Sequence, residues 1–406
     1  MATVLLLCWR DSTHPQGGGA EHYLETMGES LVAAGHKVFY RTARYPGAAR
    51  REHVRGMHMS RGGGRITVYP RALAAIIAAR FGKGPLADMG VPDVIIDTQN
   101  GVPFFAHCVT RAPVVLLQHH CHREQWPVAG PGLAQLGWFL EAVVSPRVHR
   151  NCQYITVSEP SKRELMELGV DDSRIAVVPN GCDPIPPGIP VRAPEADNPP
   201  AAPAATGATV PEPAPPAPPA PLRLVTLSRL VPHKQIEHAI SVLNQLLDTH
   251  PDVQLDIVGD GWWKPQLRRY IRQMEHTTGR TLRNHITFHG YLTEEAKHQV
   301  LARAHVHLMP SRKEGWGLAV MEAAQHQVPS IGYRSSRGLT ESIQDGTTGF
   351  LVGDCEELVA ATDQLLRDSE LRHRLGEAAA RNAARYHWEA SAERFRSIIV
   401  PAMVTE

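Results

Sequence analysis

Residues 306–324 read VHLMPSRKEGWGLAVMEAA and contain a short, mostly apolar run, a glycine-rich turn and a helical pattern in succession. The run VHLM predicts a strand that is buried on both faces. Gly315 and Gly317 allow close backbone approach, and the amides of Trp316–Leu318 form a helix N-terminus that stabilises anions and oxygen-rich groups. A strand, a glycine turn and a helix in this order are typical of a parallel sheet covered by helices.

Two carboxylates flank this turn. Glu314 directly precedes the predicted helix, and Glu322 lies about two turns further on, or about 8–10 Å away at a rise of about 1.5 Å per residue. Carboxylates at this spacing can hold the two ends of an extended polyhydroxylated ligand. Taken alone, the stretch is equally consistent with a glycine-rich turn that carries two solvated glutamates.

The same alternation extends along the chain. Before residue 184 the apolar runs are TVLLLCW, GHKVFYRT, PDVIIDTQ, APVVLLQ, CQYITVS and SRIAVVPN, and after residue 221 they are LRLVTLS, VQLDIVG, ITFHGY, VHLMPS and VPSIGY. Helical patterns such as AEHYLETMGESLVAAG and PSKRELMELG lie between several of them. We therefore predict an α/β protein with two Rossmann-like domains, whose parallel sheets face a cleft. Ligands in such sheets bind beyond the carboxyl ends of the strands.

The stretch from residue 184 to residue 221, PIPPGIPVRAPEADNPPAAPAATGATVPEPAPPAPPAP, separates the two halves. Its composition predicts a disordered, polyproline-rich linker, and a docking site for an SH3-like partner is the alternative. The predicted domains are therefore an N-terminal domain over 1–183, a linker over 184–221 and a C-terminal domain over 222–385. A final helix over 386–406 completes the chain.

Bulk properties exclude several classes of protein. The 406 residues carry a formal net charge of +1, which argues against a nucleic-acid partner. The six cysteines show no CxxC pair or framework spacing, as expected of reduced thiols. The apolar run at the N-terminus is too short for a secretory signal, and no apolar stretch reaches bilayer-spanning length. We expect a cytoplasmic protein.

Two further stretches suit a phosphate-bearing ligand. The strand LRLVTLS ends at Ser228 and is followed by Arg229 and Lys234 before a helix, which places two cations where a diphosphate would bind. Near the N-terminus, Gly17–Gly19 opens a helix with a loop that lacks side chains. It has neither the GxGxxG spacing nor an acidic residue about twenty positions on, so it does not predict a dinucleotide site.

Together these segments resemble the retaining family-4 glycosyltransferases of the GT-B fold (glycosyl transferases group 1). The resemblance covers most of the chain outside the linker. The motifs that carry it are GGGAEHYLE, GHKV, VPNGCD, SRLVPHK, IVGDG, FHGYL, PSRKEGWGLAVMEA and GLTESIQDGTTGFLV. It implies that the chain moves a hexose-type sugar from a nucleotide diphosphate sugar (UDP- or GDP-sugar) to an acceptor.

The resemblance also implies roles at individual positions. Arg229 and Lys234 would neutralise the donor diphosphate as the nucleotide leaves. Glu314 and the amides of Gly315–Leu318 would hold the transferred sugar and the distal phosphate, and Glu322 would hold the ribose hydroxyls. Further implied donor-binding positions are Gly18, Gly19, Ser228, Gly259 and Gly290, the last within His289–Tyr291.

Three more features follow from the resemblance. Asn180-Gly181 looks like the hinge between the domains, with a φ at Gly181 that only glycine readily adopts. The helix around Trp388–Ile399 would cross back to the first domain. Gln235 stands where the family usually has glycine, so the loop beside Lys234 is a departure from the pattern.

The stretch LLQHHCHREQW (116–126) places three histidines and a cysteine within four positions. Successive side chains of an extended chain point to opposite faces, so these residues do not converge on one tetrahedral zinc ion. The resemblance instead implies that one histidine contacts the transferred sugar. His119 is our choice by register, with His120 and His122 as alternatives. Polar residues that merely fill an interdomain loop are the other interpretation.

No bound metal or other cofactor is expected, because the chain has no Asp-x-Asp at a strand end. The resemblance implies front-face transfer, in which Glu314 positions the sugar and the leaving diphosphate takes the acceptor's proton. A GT-B epimerase or phosphorylase and a non-catalytic sugar-nucleotide binder are the alternatives. The acceptor is not encoded in any motif. Arg41–Arg65, with seven arginines and one glutamate, suits a peripheral contact with anionic lipid or a phosphorylated acceptor, although we expect a solvated, flexible loop.

Overall fold

A sheet of mainly parallel strands forms the N-terminal half of the computed structural model, which describes residues 1–192 and 221–404. Its strands are β1 (Thr3–Leu7), β2 (Lys37–Thr42), β3 (Arg51–Val54), β4 (Met57–Arg61), β5 (Val94–Thr98), β6 (Val114–Leu117), β7 (Gln153–Thr156) and β8 (Ile175–Val177). Their order in the sheet is β3-β4-β2-β1-β5-β6-β7-β8. The β3–β4 pair is antiparallel, and the other neighbouring pairs are parallel.

A second sheet, in which the neighbouring strands are parallel, forms the C-terminal half. Its strands are β9 (Arg223–Leu227), β10 (Gln254–Val258), β11 (Ile286–Gly290), β12 (Val306–Met309), β13 (Ser330–Tyr333) and β14 (Gly349–Val352). The order is β11-β10-β9-β12-β13-β14. The strand order therefore reverses at β1 in one sheet and at β9 in the other, and such switch points are where parallel sheets bind ligands.

Helices cover the sheets. In the first half they are α1 (Gly19–Ala33), α2 (Val68–Ala79), α3 (Pro131–Phe139), α4 (Ser145–Val148) and α5 (Glu159–Glu167). In the second half they are α6 (Ile236–Leu246), α7 (Lys264–Thr278), α8 (Glu294–Leu301), α9 (Leu318–Gln325), α10 (Leu339–Ser342), α11 (Cys355–Arg367), α12 (Ser369–Ala383) and α13 (Trp388–Val404). Among the helices of residues 1–192 and 221–404, none is both long and apolar enough to cross a membrane.

Helix α13 returns to the N-terminal half and packs on α1. The ring of Tyr23 in α1 lies 6.0 Å from that of Trp388 and 6.5 Å from that of Phe395, both edge-on. The indole nitrogen of Trp388 donates a hydrogen bond to Asp183 at 2.9 Å. Trp316 of the second half belongs to the same buried cluster, so one apolar core joins the two halves.

The arginine-rich stretch Arg41–Arg65 contains the end of β2 and the whole of β3 and β4, and our expectation of a solvated, flexible loop was wrong. Arg55 and Gly56, with φ of 51° and 75°, form the two-residue turn between β3 and β4. Positive φ at both central residues is typical of the tight turns that join antiparallel strands. Met57 and Met59 are buried and anchor β4 to β2.

Most of the predicted linker, residues 193–220, lies outside the described residues. The alternative of a docking site for an SH3-like partner also concerns residues outside the described ranges. The described beginning of the segment contacts the C-terminal half. The carbonyl of Val191 accepts a hydrogen bond from His326 Nδ1 at 2.7 Å, and Arg192 Nη1 donates to the carbonyl of Gln327 at 3.3 Å.

At Gly181, in the predicted hinge, the close approach of Trp388 leaves no space for a side chain. Its φ does not lie in the left-handed region, so the conformational reason that we expected was wrong. A Cβ at this position would lie 2.4 Å from the backbone nitrogen of Trp388 and 2.6 Å from its Cα. The hinge segment therefore packs directly on the first residue of α13, where its neighbour Cys182 donates to the carbonyl of Tyr386 at 3.0 Å.

Gly181→Ala should therefore destabilise the protein by about 1–3 kcal/mol, because the added methyl group must push the start of α13 away from the hinge. Urea unfolding measures the change. Gly132→Ala is the matched control, since a Cβ there meets no atom within 4 Å. Equal stability of the two variants would contradict the close packing of Gly181 on α13.

Candidate active site

The glycine loop after β1 faces the C-terminal half. Gly18 caps α1, and its amide donates to the carboxylate of Glu21 at 2.8 Å. A Cβ at Gly18 would lie 3.7 Å from Arg229 Nε, and one at Gly19 would lie 3.5 Å from Leu318. The loop therefore meets both predicted phosphate-binding segments of the other half, at the start of a helix that favours anions.

Two guanidinium groups flank this loop. Arg229 follows β9, and its side chain is exposed to the cleft between the halves. Desolvation within the cleft, followed by the charge of Arg10, lowers the pKa of Arg229. Arg10, which follows β1, donates to the buried carboxylate of Glu21 at 2.6 Å. Sequence analysis missed Arg10, although its place just beyond a strand's carboxyl end was a usable signal.

Lys234 and Glu314 form an ion pair in the cleft, and each side chain is about one-tenth exposed. Lys234 ends a single helical turn over Pro232–Lys234. The following residue, Gln235, has a φ of 49°. Gln235 therefore adopts the left-handed backbone conformation that glycine would adopt here, which costs a non-glycine residue about 1–2 kcal/mol.

The turn that contains Gly315 lies against the histidine loop of the first half. A Cβ at Gly315 would lie 2.8 Å from the carbonyl oxygen of His119 and 3.2 Å from His120 Nδ1. The carbonyl of Gly315 accepts a hydrogen bond from Ser158 Oγ at 2.6 Å, and that of His119 accepts one from Ser161 Oγ at 2.8 Å. These contacts allow only glycine at position 315.

The start of α9 offers main-chain donors to the cleft. Gly317 is its N-cap, with a φ of 94°, and Leu318 is its first residue. The ring of Trp316 turns away and packs edge-on against Tyr386, with centroids 4.9 Å apart. Trp316 therefore contributes its backbone, and not its indole ring, to any ligand in the cleft.

Glu322, further along α9, is paired with Lys297 of α8 at 2.7 Å. Burial lowers the pKa of Lys297, but Glu322 and Glu294 outweigh burial and raise it overall. Lys297 was missed by sequence analysis, because nothing local indicates that α8 lies beside α9.

Gly259 and Gly290 meet at the ends of β10 and β11, where the amide of Gly259 donates to the carbonyl of Gly290 at 2.8 Å. A Cβ at Gly259 would lie 1.9 Å from the carbonyl oxygen of Ser228. The ring of His289 turns to Asp256, with a separation of 2.7 Å, while Tyr291 is exposed. Ser228, Gly259 and Gly290, which were all predicted to bind the donor, therefore lie side by side.

The histidines of the loop after β6 have separate surroundings. His119 is buried with its ring edge-on to Tyr23, and burial followed by the charge of His122 lowers its pKa to about 4. His119 Nε2 has no hydrogen-bond partner among the described residues. His120 lies 2.7 Å from Gln125 Nε2, and His122 lies 3.2 Å from Glu141. Within the described ranges no group of three or more His, Cys, Asp or Glu residues has the geometry of a metal site.

A buried ion pair holds the two halves together beside this site. Lys313 of the turn and Glu164 of α5 are in contact, with side chains 4% and 6% exposed. Arg337 lies 3.5 Å from Glu164 and 3.3 Å from the exposed Glu167. Charges this deeply buried are stable in proteins only when they are paired.

Glu164→Gln should cost about 3–5 kcal/mol of stability, because it leaves the Lys313 ammonium buried without a counter-ion. Glu167→Gln changes an exposed partner of the same Arg337 and should cost about 0–1 kcal/mol. Urea unfolding of both variants checks the difference. Comparable losses in the two would show that the Lys313–Glu164 pair is not the buried contact described above.

Two family models match the chain. "Glycosyltransferase Family 4" matches residues 17–185, and "Glycosyl transferases group 1" matches residues 213–382. The two matches include the glycine loop, the histidine loop and the donor-side motifs, and they confirm the predicted resemblance.

Two curated relatives differ in how much they share with the chain. The sulfoquinovosyl transferase SQD2 of Arabidopsis thaliana is 30% identical over 40% of this chain and 31% of that protein. The GDP-mannose-dependent alpha-(1-6)-phosphatidylinositol monomannoside mannosyltransferase of Mycolicibacterium smegmatis is 25% identical over 92% of this chain and 91% of its own. The first curated relatives are matched over less than half of their length, at 31% for SQD2 and 43% for the alpha-D-kanosaminyltransferase of Streptomyces kanamyceticus.

Solved structures share the architecture. Sucrose-phosphate synthase from Thermosynechococcus elongatus superposes with a TM-score of 0.75 at 20% identity over 99% of both chains. Anabaena Alr3699/HepE in complex with UDP and glucose superposes with a TM-score of 0.69 at 16% identity, over 99% of this chain and 100% of that one. The predicted GT-B fold is confirmed.

Proposed function

The chain belongs to the group 1, family 4 glycosyl transferases, and we propose that it moves a hexose-type sugar from a nucleoside diphosphate sugar to an acceptor with retention of configuration. The observation that carries this proposal is the Lys234–Glu314 pair, which faces the cleft near Arg229 and the turn over Gly315–Leu318. A cation that can bind phosphate, Lys234, and a carboxylate that can bind sugar hydroxyls, Glu314, are therefore in direct contact.

The donor's phosphates would lie between the two halves. Arg229 and Lys234 supply charge, and the amides at the start of α9 supply directed hydrogen bonds. Lys234 would exchange part of its contact with Glu314 for a phosphate oxygen, which frees the carboxylate to accept hydroxyls of the transferred sugar. The glycine loop at Gly18 and Gly19 would close over the diphosphate, because no side chain bars its approach.

The nucleoside would occupy the edge of the second sheet. A Cβ at Gly290 would meet no described atom closer than 3.6 Å, so this position leaves room for a ribose and a base, whereas Gly259 allows the close approach of Ser228. Glu322 would accept hydroxyls of the ribose. The mannosyltransferase of Mycolicibacterium smegmatis is GDP-mannose-dependent, and the structure of Anabaena Alr3699/HepE contains UDP and glucose. We accordingly propose a UDP- or GDP-sugar as the donor.

Transfer would follow a front-face course. The bond between the anomeric carbon and the diphosphate oxygen breaks, the acceptor oxygen bonds to the same face of that carbon, and its proton passes to the leaving diphosphate. Charge on the leaving group is stabilised by Arg229 and Lys234, and no protein carboxylate becomes covalently attached. Glu314 acts as a positioning residue in this scheme.

His119 would contribute a neutral imidazole. With its pKa near 4, the ring is uncharged at neutral pH, its Nε2 has no hydrogen-bond partner among the described residues, and its backbone carbonyl lies beside Gly315. A neutral ring that can donate or accept one hydrogen bond suits a hydroxyl of the transferred sugar. This geometry favours His119 over His120 and His122, whose nitrogens have side-chain neighbours.

We propose that the two domains bind different substrates. Residues 1–183 would bind the acceptor, residues 222–385 would bind the donor, and 386–406 would form the helix that crosses back. The acceptor side contains the arginine-rich segment Arg41–Arg65, for which we proposed contact with anionic lipid. No nucleic-acid partner is proposed, since the net charge is +1.

Nucleotide release from a panel of donors, with and without acceptor extracts, tests the function. UDP-glucose and GDP-mannose belong in the panel. Nucleotide release that depends on acceptor supports a transferase. Interconversion of the sugar would indicate an epimerase, release that requires phosphate would indicate a phosphorylase, and donor binding without turnover would indicate a binding protein.

Glu314→Gln and Lys234→Ala should each lower kcat by about 10²–10³-fold while the protein remains folded, because each removes a charge aimed at the reacting groups. Steady-state nucleotide release measures the loss, and circular dichroism checks the fold. Arg283→Gln, which alters the exposed partner of Glu275 on the same half, is the control and should be as active as the unmodified protein. Near-normal turnover in both site variants would refute the donor-site assignment.

Transfer should persist after exhaustive treatment with EDTA, since Arg229 and Lys234 provide the charge that a divalent metal would otherwise supply. The measurement is nucleotide release before and after treatment, with metal content followed by atomic spectroscopy. Loss of activity that zinc alone restores would overturn this proposal and return attention to His119–His122.

A further inference from the structure

A cavity of about 360 Å³ opens at the edge of the N-terminal sheet, next to the proposed acceptor side of the cleft. It is lined mainly by guanidinium groups. The arginines around it are Arg41, Arg44, Arg50, Arg51, Arg61 and Arg71. Five of them belong to the stretch Arg41–Arg65, in β2, the loop that follows it and the β3–β4 hairpin, and the fold adds Arg71 of α2.

The positive charge of this pocket is largely uncompensated. Arg61 is paired with Asp11 and Glu52. The other five arginines form no ion pair with any residue of 1–192 or 221–404. Arg44 and Arg51 donate only to main-chain carbonyls, those of Ala48 and Gly84. Like charges collected in one concavity repel one another and favour the binding of an anion.

Arg41 shows that the pocket is built for such a ligand. Its side chain is buried, with 4% of the residue exposed, and no carboxylate of residues 1–192 or 221–404 pairs with it. Nη1 donates to Ser60 Oγ at 2.9 Å, while Nε has no partner among the described residues. Burial, followed by the charges of Arg71 and Arg51, lowers the pKa of Arg41 to about 10. A buried guanidinium without a counter-ion is costly, and a bound anion would remove that cost.

Gly62 keeps the Arg41 guanidinium in place. A Cβ at Gly62 would lie 2.6 Å from Arg41 Nη2, so even a methyl group would displace the guanidinium. Glycine at this position therefore preserves the arrangement of the pocket without contributing any charge to it.

The pocket is connected to the catalytic cleft through Asp11. Arg61 Nε donates to Asp11 Oδ2 at 2.5 Å. The backbone carbonyl of Asp11 lies 3.0 Å from the position that a Cβ of Gly17 would take, in the glycine loop that faces Arg229. The arginine pocket and the glycine loop therefore both contact Asp11.

We propose that this pocket binds a phosphate group of the acceptor, which is therefore a phosphorylated compound. The inference rests on the proposed transferase function and deepens it by naming the acceptor's chemical class. Guanidinium groups match phosphate oxygens with paired hydrogen bonds, and five arginines without an ion pair among the described residues suit a phosphate better than a single carboxylate. A small phosphomonoester and the headgroup of a phospholipid offer the same chemistry.

The test is calorimetric titration with inorganic phosphate in the full-length protein. The Lys234→Ala variant is titrated in parallel, because it removes the main competing phosphate site. Both proteins should bind phosphate equally well. The double variant Arg50→Gln/Arg71→Gln should bind about tenfold more weakly or worse, since each lost charge-assisted contact is worth a large part of that factor. Arg111→Gln, an exposed arginine of the same half away from the pocket, should bind as the unmodified protein does.

Gly62→Ala provides a second test that leaves every charge in place. It should also weaken phosphate binding by displacing Arg41, whereas a surface that attracts anions by net charge alone would not respond. Phosphate binding that is lost in Lys234→Ala and unchanged in Arg50→Gln/Arg71→Gln and Gly62→Ala would overturn the proposal.

Competition distinguishes the two sources of phosphate. Displacement of bound phosphate by glycerol 3-phosphate supports a small acceptor. Flotation with phosphatidylcholine vesicles that contain phosphatidylglycerol, lost in Arg50→Gln/Arg71→Gln but kept in Arg111→Gln, supports a lipid acceptor. Vesicle binding that falls equally in both variants would indicate a general effect of net charge and would contradict phosphate binding in the pocket.

The outcome for the pocket is separable from that for the proposed function. Phosphate binding requires no turnover, so a protein that binds phosphate here but releases no nucleotide refutes the transferase function and leaves the phosphate site. If the protein transfers sugar to an acceptor but does not bind phosphate, only the proposed phosphate site in the pocket is refuted.

Discussion

The contact between Gly315 and the main chain of His119 is the constraint on which the site depends. A side chain at position 315 would collide with the carbonyl of His119, and two serine hydroxyls of the first half hold the two carbonyls in place. Gly338 adds to the constraint from the other side, since its Cβ would lie 2.5 Å from the carbonyl of Glu314. The turn that carries Glu314 is therefore held between two backbones, and this places its carboxylate beside Lys234.

Charge is distributed differently in the two halves of the cleft. On the proposed donor side, Lys234 is paired with Glu314 and Lys297 with Glu322, and at the glycine loop of the first half Arg10 is paired with Glu21. Such pairs keep the cations satisfied before a ligand arrives and leave carboxylates free for hydroxyls afterwards. The arginine pocket has no comparable set of carboxylates, so it remains strongly positive. An enzyme that joins a charged donor to a phosphorylated acceptor would need both kinds of environment.

Much of the fold was predictable because buried parallel strands are continuous apolar runs. Every strand that the sequence predicted is present, including β1, β9 and β12. The strands β3, β4 and β14 were not predicted. The first two lie in an arginine-rich stretch whose charge concealed the alternation of Met57 and Met59, and the signal that was overlooked is the Arg55-Gly56 turn. Gly349–Val352 was recognised only as part of a motif.

The sequence by itself determined the alternation of strand and helix and the position of each glycine turn at a strand's carboxyl end, because both depend on neighbouring residues. Tertiary structure decided which charges meet, that His119 is buried and that Gly181 packs on Trp388. It also decided that Arg71 of α2 shares one cavity with five arginines of the stretch Arg41–Arg65. Lys313 and Glu164 are 149 positions apart, and such a contact forms only when both sheets are complete. Contacts between distant segments depend on the packing of whole layers, and no local pattern encodes that packing.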